Sequence, residues 1–101
     1  AKKFGLRAPM VGHLGDGNFH VLLPFDPAKK EMYKKIREFN DLLIKKALEL
    51  NGTITGEHGV GLHKKDYLLH EHGDNIPVMK MIKRSIDKNN IMNPGKIFDL
   101  N

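Results

Sequence analysis

The segment Gly12-His13-Leu14-Gly15-Asp16-Gly17-Asn18-Phe19-His20 constrains the fold more than any other part of this chain. Asp-Gly between two apolar runs is a strong hairpin signal, because a two-residue type I′ turn needs φ > 0 at both central positions. With Asp16 and Gly17 as those residues, Gly15 pairs with Asn18, Leu14 with Phe19 and His13 with His20. Opposed side chains on one face of an antiparallel pair have Cβ atoms about 5 Å apart. Two imidazoles at that separation can share one metal ion. The spacing therefore predicts a two-histidine claw, although histidines at this spacing alone are more often plain surface residues.

A second segment shifts that balance. Gly52-Thr53-Ile54-Thr55-Gly56-Glu57-His58-Gly59-Val60-Gly61 is too rich in glycine for the interior of a helix or strand. Its glycines allow close approach of the backbone and project Glu57 and His58 from a bend. Two histidines and one carboxylate, with coordination positions left over, form the usual ligand set of a catalytic divalent-metal site. On this reading His13, His20 and Glu57 hold the metal. His58 is left for acid–base work, since an unperturbed imidazole titrates near pH 6.5.

Composition narrows the alternatives. A chain of 101 residues supports one domain with a modest core. No apolar run approaches the ~20 residues of a membrane span, and no secretory or transit pattern opens the chain. With no cysteine, any metal must be held by nitrogen and oxygen. The net charge of +5 comes mostly from lysine pairs, with three arginines and no tryptophan. A nucleic-acid surface would interleave basic residues with exposed aromatics or arginine forks. Solvated helix faces that steer small anions fit better, and no nucleic-acid partner is expected.

The periodicities predict an α+β domain, with helices packed on a small antiparallel sheet. Ala8 to His13 reads as a first strand. Asn18 to Phe25 reads as a second, with Phe19, Val21, Leu23 and Phe25 on the core side and His20, Leu22 and Pro24 opposite. Asp26 as N-cap and Pro27 at the first helical position open a helix that runs to about Leu50. Its stripe is Met32, Ile36, Phe39, Leu43, Ala47 and Leu50, and Asn51-Gly52 ends it in a left-handed cap. Thr53 to Thr55 suits a brief strand. Leu62 to His72 reads as a helix in which His63, His70 and His72 are surface residues. A last helix from Asn75-Ile76-Pro77 to Lys88 buries Val78, Met79, Ile82 and Ile86. Asn93-Pro94-Gly95-Lys96 is a turn.

Three segments in this order, Gly12 to His20, Thr55 to Gly61 and Ile91 to Lys96, resemble the C-terminal domain of FAD-linked oxidases of the vanillyl-alcohol-oxidase type. The likeness spans about residues 8 to 99 and leans toward the glycolate oxidase and flavin-dependent D-lactate dehydrogenase branch. The resemblance implies a ferredoxin-like fold, and a divalent zinc, iron or manganese ion on His13, His20 and Glu57. It implies that His58 is the base that deprotonates a 2-hydroxy acid whose α-hydrogen passes as hydride to flavin, with Asn18 and Asn93 near the FAD and substrate. The 2-hydroxyglutarate-oxidising branch carries a polar residue two past the second histidine, where this chain has Leu22. A small 2-hydroxy monocarboxylate is the implied substrate. Such enzymes hold FAD mainly on an N-terminal domain whose glycine-rich loop has no counterpart here. Residues 1–101 thus read as a fragment of the C-terminal domain, inactive alone, that works with an upstream FAD-binding domain and an electron-acceptor subunit. The expected location is cytoplasmic, at most peripheral at the membrane. The competing expectation is a free-standing divalent-metal-binding module without redox activity.

Overall fold

The computed structural model describes residues 1–101, which divide into two compact units, Ala1–Glu57 and His58–Asn101. The chain is α+β: two antiparallel strands, β1 (Met10–His13) and β2 (Asn18–Val21), and three helices, α1 (Lys30–Glu49), α2 (Lys65–His72) and α3 (Ile76–Ile86).

In the first unit the hairpin forms where expected but closes differently. Leu14–Asp16 make a turn of 3₁₀-helix, and only Gly17 takes a left-handed conformation, φ 70°, its N–H donating to the Leu14 carbonyl. Asp16 does not share the positive φ that a type I′ turn demands. A four-residue connection results, with His13 opposite Asn18, Gly12 opposite Phe19 and Val11 opposite His20. The expected pairing of His13 with His20 is thereby corrected. Because the register moves by two residues, both histidines stay on one face, now as diagonal neighbours. Phe19 and Phe25, assigned to the core side, are 44% and 42% exposed.

Helix α1 follows its apolar stripe. Met32, Ile36, Phe39, Leu43 and Ala47 are half-buried and Ile44 is buried, while Leu50 lies past the helix end and is exposed. Phe4 meets Phe39 edge-on, with ring centres 6.1 Å apart. The C-terminus is a Schellman motif: Asn51 takes φ 59°, its N–H donates to Leu48, and the Gly52 N–H donates to Ala47 at 2.8 Å. The N-terminus starts later than expected. Asp26 Oδ1 accepts from the Ala28 N–H at 3.0 Å, a local turn that uses up its capping capacity, and the helix begins at Lys30 without a side-chain cap. No strand forms at 53–55, where Ile54, 5% exposed, is instead an anchor of irregular chain.

The second unit is organised around Leu68, Ile76 and Asp87. Helix α2 starts at Lys65 rather than Leu62, because Gly61 holds φ 55° and the residues after it form a turn. Helix α3 stops at Ile86. Val78, Ile82 and Ile86, expected to be buried, are exposed, and Ile76 takes the interior position. Asp87 ends the helix by turning its carboxylate onto the next loop: Oδ1 accepts from the Ile91 N–H and Oδ2 from the Met92 N–H, both at 2.9 Å, and Lys83 pairs with Oδ2.

The Lys83 hydrogen bond, then the N–H of Ile91, lower the Asp87 pKa from 3.8 to about 2, against the desolvation that would raise it. A depressed carboxyl pKa contributes stability above the unfolded value, and that stability is lost as pH falls toward the folded value. Asp87→Asn is therefore expected to lower the melting temperature at pH 7, and the gap from the parent should close between about pH 4 and pH 2. Circular-dichroism melts across that range check it; a gap independent of pH would contradict the assignment.

Candidate metal and acid–base site

Within the first unit, β2 presents Asn18 and His20 on one face, since alternate residues of a strand point the same way. The loop that leaves the Schellman turn and passes the Ile54 anchor brings Gly56 and Glu57 alongside. His20 Nε2 lies 3.1 Å from Glu57 Oε1, and Asn18 Nδ2 donates to Glu57 Oε2 at 3.3 Å. One carboxylate thus serves two side chains with different oxygens. The His20 side chain is 27% exposed and Glu57 52%, so the pair is open to solvent and ligand on one side.

The His20 and Glu57 donors fit two positions of a divalent-metal site. Two ligand atoms bound at about 2.0–2.2 Å to one tetrahedral ion stand roughly 3.3–3.6 Å apart, and a little closer when the ion is octahedral. The His20–Glu57 separation of 3.1 Å falls near that spacing. It equally suits a hydrogen bond from the imidazole N–H, which at this exposure is worth only about 0–1 kcal/mol. Of the other expected site residues, His13 lies diagonal to His20 across the hairpin. His58 follows Glu57 directly and opens the second unit, where it is exposed. Asn93, also in the second unit, is exposed in its turn with φ 47°, and the Lys96 N–H donates to its carbonyl at 3.3 Å.

The tie from Asn18 to Glu57 is absent from the sequence reading, and so is the reason for Gly12. A Cβ at Gly12 would lie 2.5 Å from the Asn18 carbonyl oxygen and 2.6 Å from the Phe19 Cα. Both are main-chain atoms of the paired strand and cannot swing aside.

Comparison with known proteins gives the site a context. Residues 1–97 match the family model "FAD linked oxidases, C-terminal domain". A probable mitochondrial D-lactate dehydrogenase of Danio rerio is 45% identical over 96 residues, covering 94% of this chain and 19% of the relative. The glycolate oxidase subunit GlcD of Bacillus subtilis is 40% identical over 99 residues, 97% of this chain and 21% of the relative. A D-2-hydroxyglutarate dehydrogenase of Stutzerimonas stutzeri is 43% identical over 90 residues, 86% and 19% respectively. The chain spans about a fifth of the length of these relatives.

Gly12→Ala should destabilise the fold by about 1–3 kcal/mol through overpacking of the hairpin. Urea unfolding measures it, and an alanine variant as stable as the parent would mean that the strands pair in another register.

Proposed function

Because the chain belongs to the family of FAD linked oxidase C-terminal domains, we propose that it is the substrate- and metal-binding part of an FAD-dependent 2-hydroxy-acid oxidoreductase of the D-lactate dehydrogenase or glycolate oxidase kind. The observation that carries the reading is the His20–Glu57 pair on the face shared with His13. His13, His20 and Glu57 would hold a divalent zinc, iron or manganese ion, which would polarise the substrate's hydroxyl and carboxylate. A bound FAD would supply the hydride acceptor. His58 takes the hydroxyl proton on an imidazole nitrogen, so the alcohol loses one hydride and one proton in becoming a ketone or aldehyde. Asn18 and Asn93 lie toward the flavin and substrate.

The FAD is held mainly by polypeptide outside residues 1–101, and so are the strands that complete a ferredoxin-like sheet around β1 and β2. Two strands alone make a marginal sheet in water. Leu22, two residues past His20 and half exposed, offers neither charge nor hydrogen bond to a second carboxylate, which favours a small 2-hydroxy monocarboxylate. Electrons leave to a separate acceptor subunit. No helix is long and apolar enough to cross a membrane; the cytoplasm, or the periphery of a membrane, is the location this reading proposes. A metal-binding module without redox chemistry is the second reading, favoured by the confinement of His13, His20 and Glu57 to one compact unit.

His58→Ala in the full-length enzyme should lower kcat by about 10²–10⁴ while KM changes less, because a general base acts mainly in the transition state. His20→Ala should remove the metal and most turnover while FAD content stays at the parent level. Steady-state assays with D-lactate, glycolate and a dye acceptor, with metal and flavin analysis, test both. A full-length protein that binds metal, holds no flavin and oxidises none of these acids would favour the module. An unaffected kcat in His58→Ala would place the base elsewhere.

A further inference from the structure

We propose that Asn18 is a positioning residue: its carboxamide is wedged between Gly56 and Glu57, fixes the Glu57 carboxylate toward His20, and is the reason that position 56 is glycine. The proposal rests on the metal-site reading only for its consequence for metal affinity. Three observations carry it. The Asn18 amide donates to Glu57 Oε2, while Oε1 of the same carboxylate faces His20 Nε2 at 3.1 Å. Asn18 therefore holds the half of the carboxylate that His20 does not touch, which fixes the rotation of the group.

The second observation is Asn18 Oδ1. It is buried and has no hydrogen-bond partner, an expensive state for a carbonyl. Turning the amide over would give the Glu57 carboxylate an oxygen in place of a donor, so the Nδ2–Glu57 bond sets the orientation and leaves Oδ1 facing Gly56. The third is the space it occupies. A Cβ built at Gly56 would stand 2.2 Å from Asn18 Oδ1 and 3.2 Å from Cγ. Gly56 does not have a positive φ, so its backbone would accept alanine. Only the Asn18 carboxamide excludes a side chain there. The two positions, 38 apart in sequence, make one device: the missing Cβ seats the amide, and the amide aims the carboxylate.

Outer partners of metal ligands commonly change affinity by 10–100-fold when removed. The test is a double-mutant cycle in the full-length protein, with Zn2+ titrated calorimetrically and thermal melts run without metal. Asn18→Ala and Gly56→Ala should each weaken Zn2+ binding by about 10–100-fold. Gly56→Ala should lower the metal-free melting temperature in the parent, yet change neither quantity measurably in the Asn18→Ala background. If Gly56→Ala alone fails to fold, the double variant should fold. An equal cost of Gly56→Ala in both backgrounds, or a double variant that also fails to fold, overturns the proposal. A parent that binds no Zn2+ would count against the metal reading alone. The wedge is then decided by the metal-free melts and by the Asn18 side-chain amide protons in NMR spectra. One of them should lie downfield and return upfield in both Glu57→Ala and Gly56→Ala; amide protons unmoved by Glu57→Ala would overturn it.

Discussion

The site depends on one carboxylate, Glu57, that both His20 and Asn18 touch. Glu57 sits in irregular chain, and irregular chain has no ladder of backbone bonds to hold a side chain in place. Its direction comes from β2, through His20 on one oxygen and Asn18 on the other. What brings it there is equally simple. The Schellman turn at Asn51-Gly52 reverses the chain at the end of α1, and Ile54 sinks into the interior two residues later. Burial of an isoleucine is worth on the order of 1.5–3 kcal/mol, more than a surface ion pair. The apolar anchor thus delivers the loop, and the polar contacts only aim its last residue.

An exposed His–Glu contact of this kind is weak evidence of stabilisation. Its meaning comes from the cost of the neighbouring groups. Asn18 leaves a carbonyl unsatisfied and position 56 gives up its side chain, and neither concession helps the fold by itself. Sequences break local rules where a function requires it, and here both breaks point at the same carboxylate.

Local signals were legible in the sequence. The hairpin, the stripe on α1, its left-handed cap and the turn at Asn93–Lys96 all follow from residues within a few positions of one another. The register was not, because Leu14–Asp16 folded into a helical turn and Gly17 alone supplied the left-handed residue. Parity preserved the main expectation: any even-length connection in this segment leaves His13 and His20 on a common face, whereas a three-residue turn would have split them. The N-terminus of α1 lies beyond the position that Asp26-Pro27 predicts, because Asp26 accepts from its neighbour Ala28 rather than capping a helix. On α3 the apolar positions of Val78, Ile82 and Ile86 are evident, yet a periodic stripe says which face is apolar and not whether anything covers it. The Asn18–Glu57 tie spans 39 residues and has no local signature. Asp87 has one, a lysine four residues earlier with loop-forming asparagines after it.

The two ends of α1 differ in a way that matters for motion. At the first turn Lys29 and Lys30 meet the positive end of the helix dipole with no side-chain cap, and Glu31 is the single acidic residue there, so this terminus is held less firmly than a capped one. At the last turn the Schellman bonds occupy the Ala47 and Leu48 carbonyls. Such a helix behaves as a rod clamped at one end. Opening of such a helix is expected to start at Lys30, with amide protection rising toward Ala47. The loop that carries Glu57 leaves from the clamped end. Thermal fraying of the longest element is therefore directed away from the carboxylate, and the site is insulated from it by the order in which the chain was written.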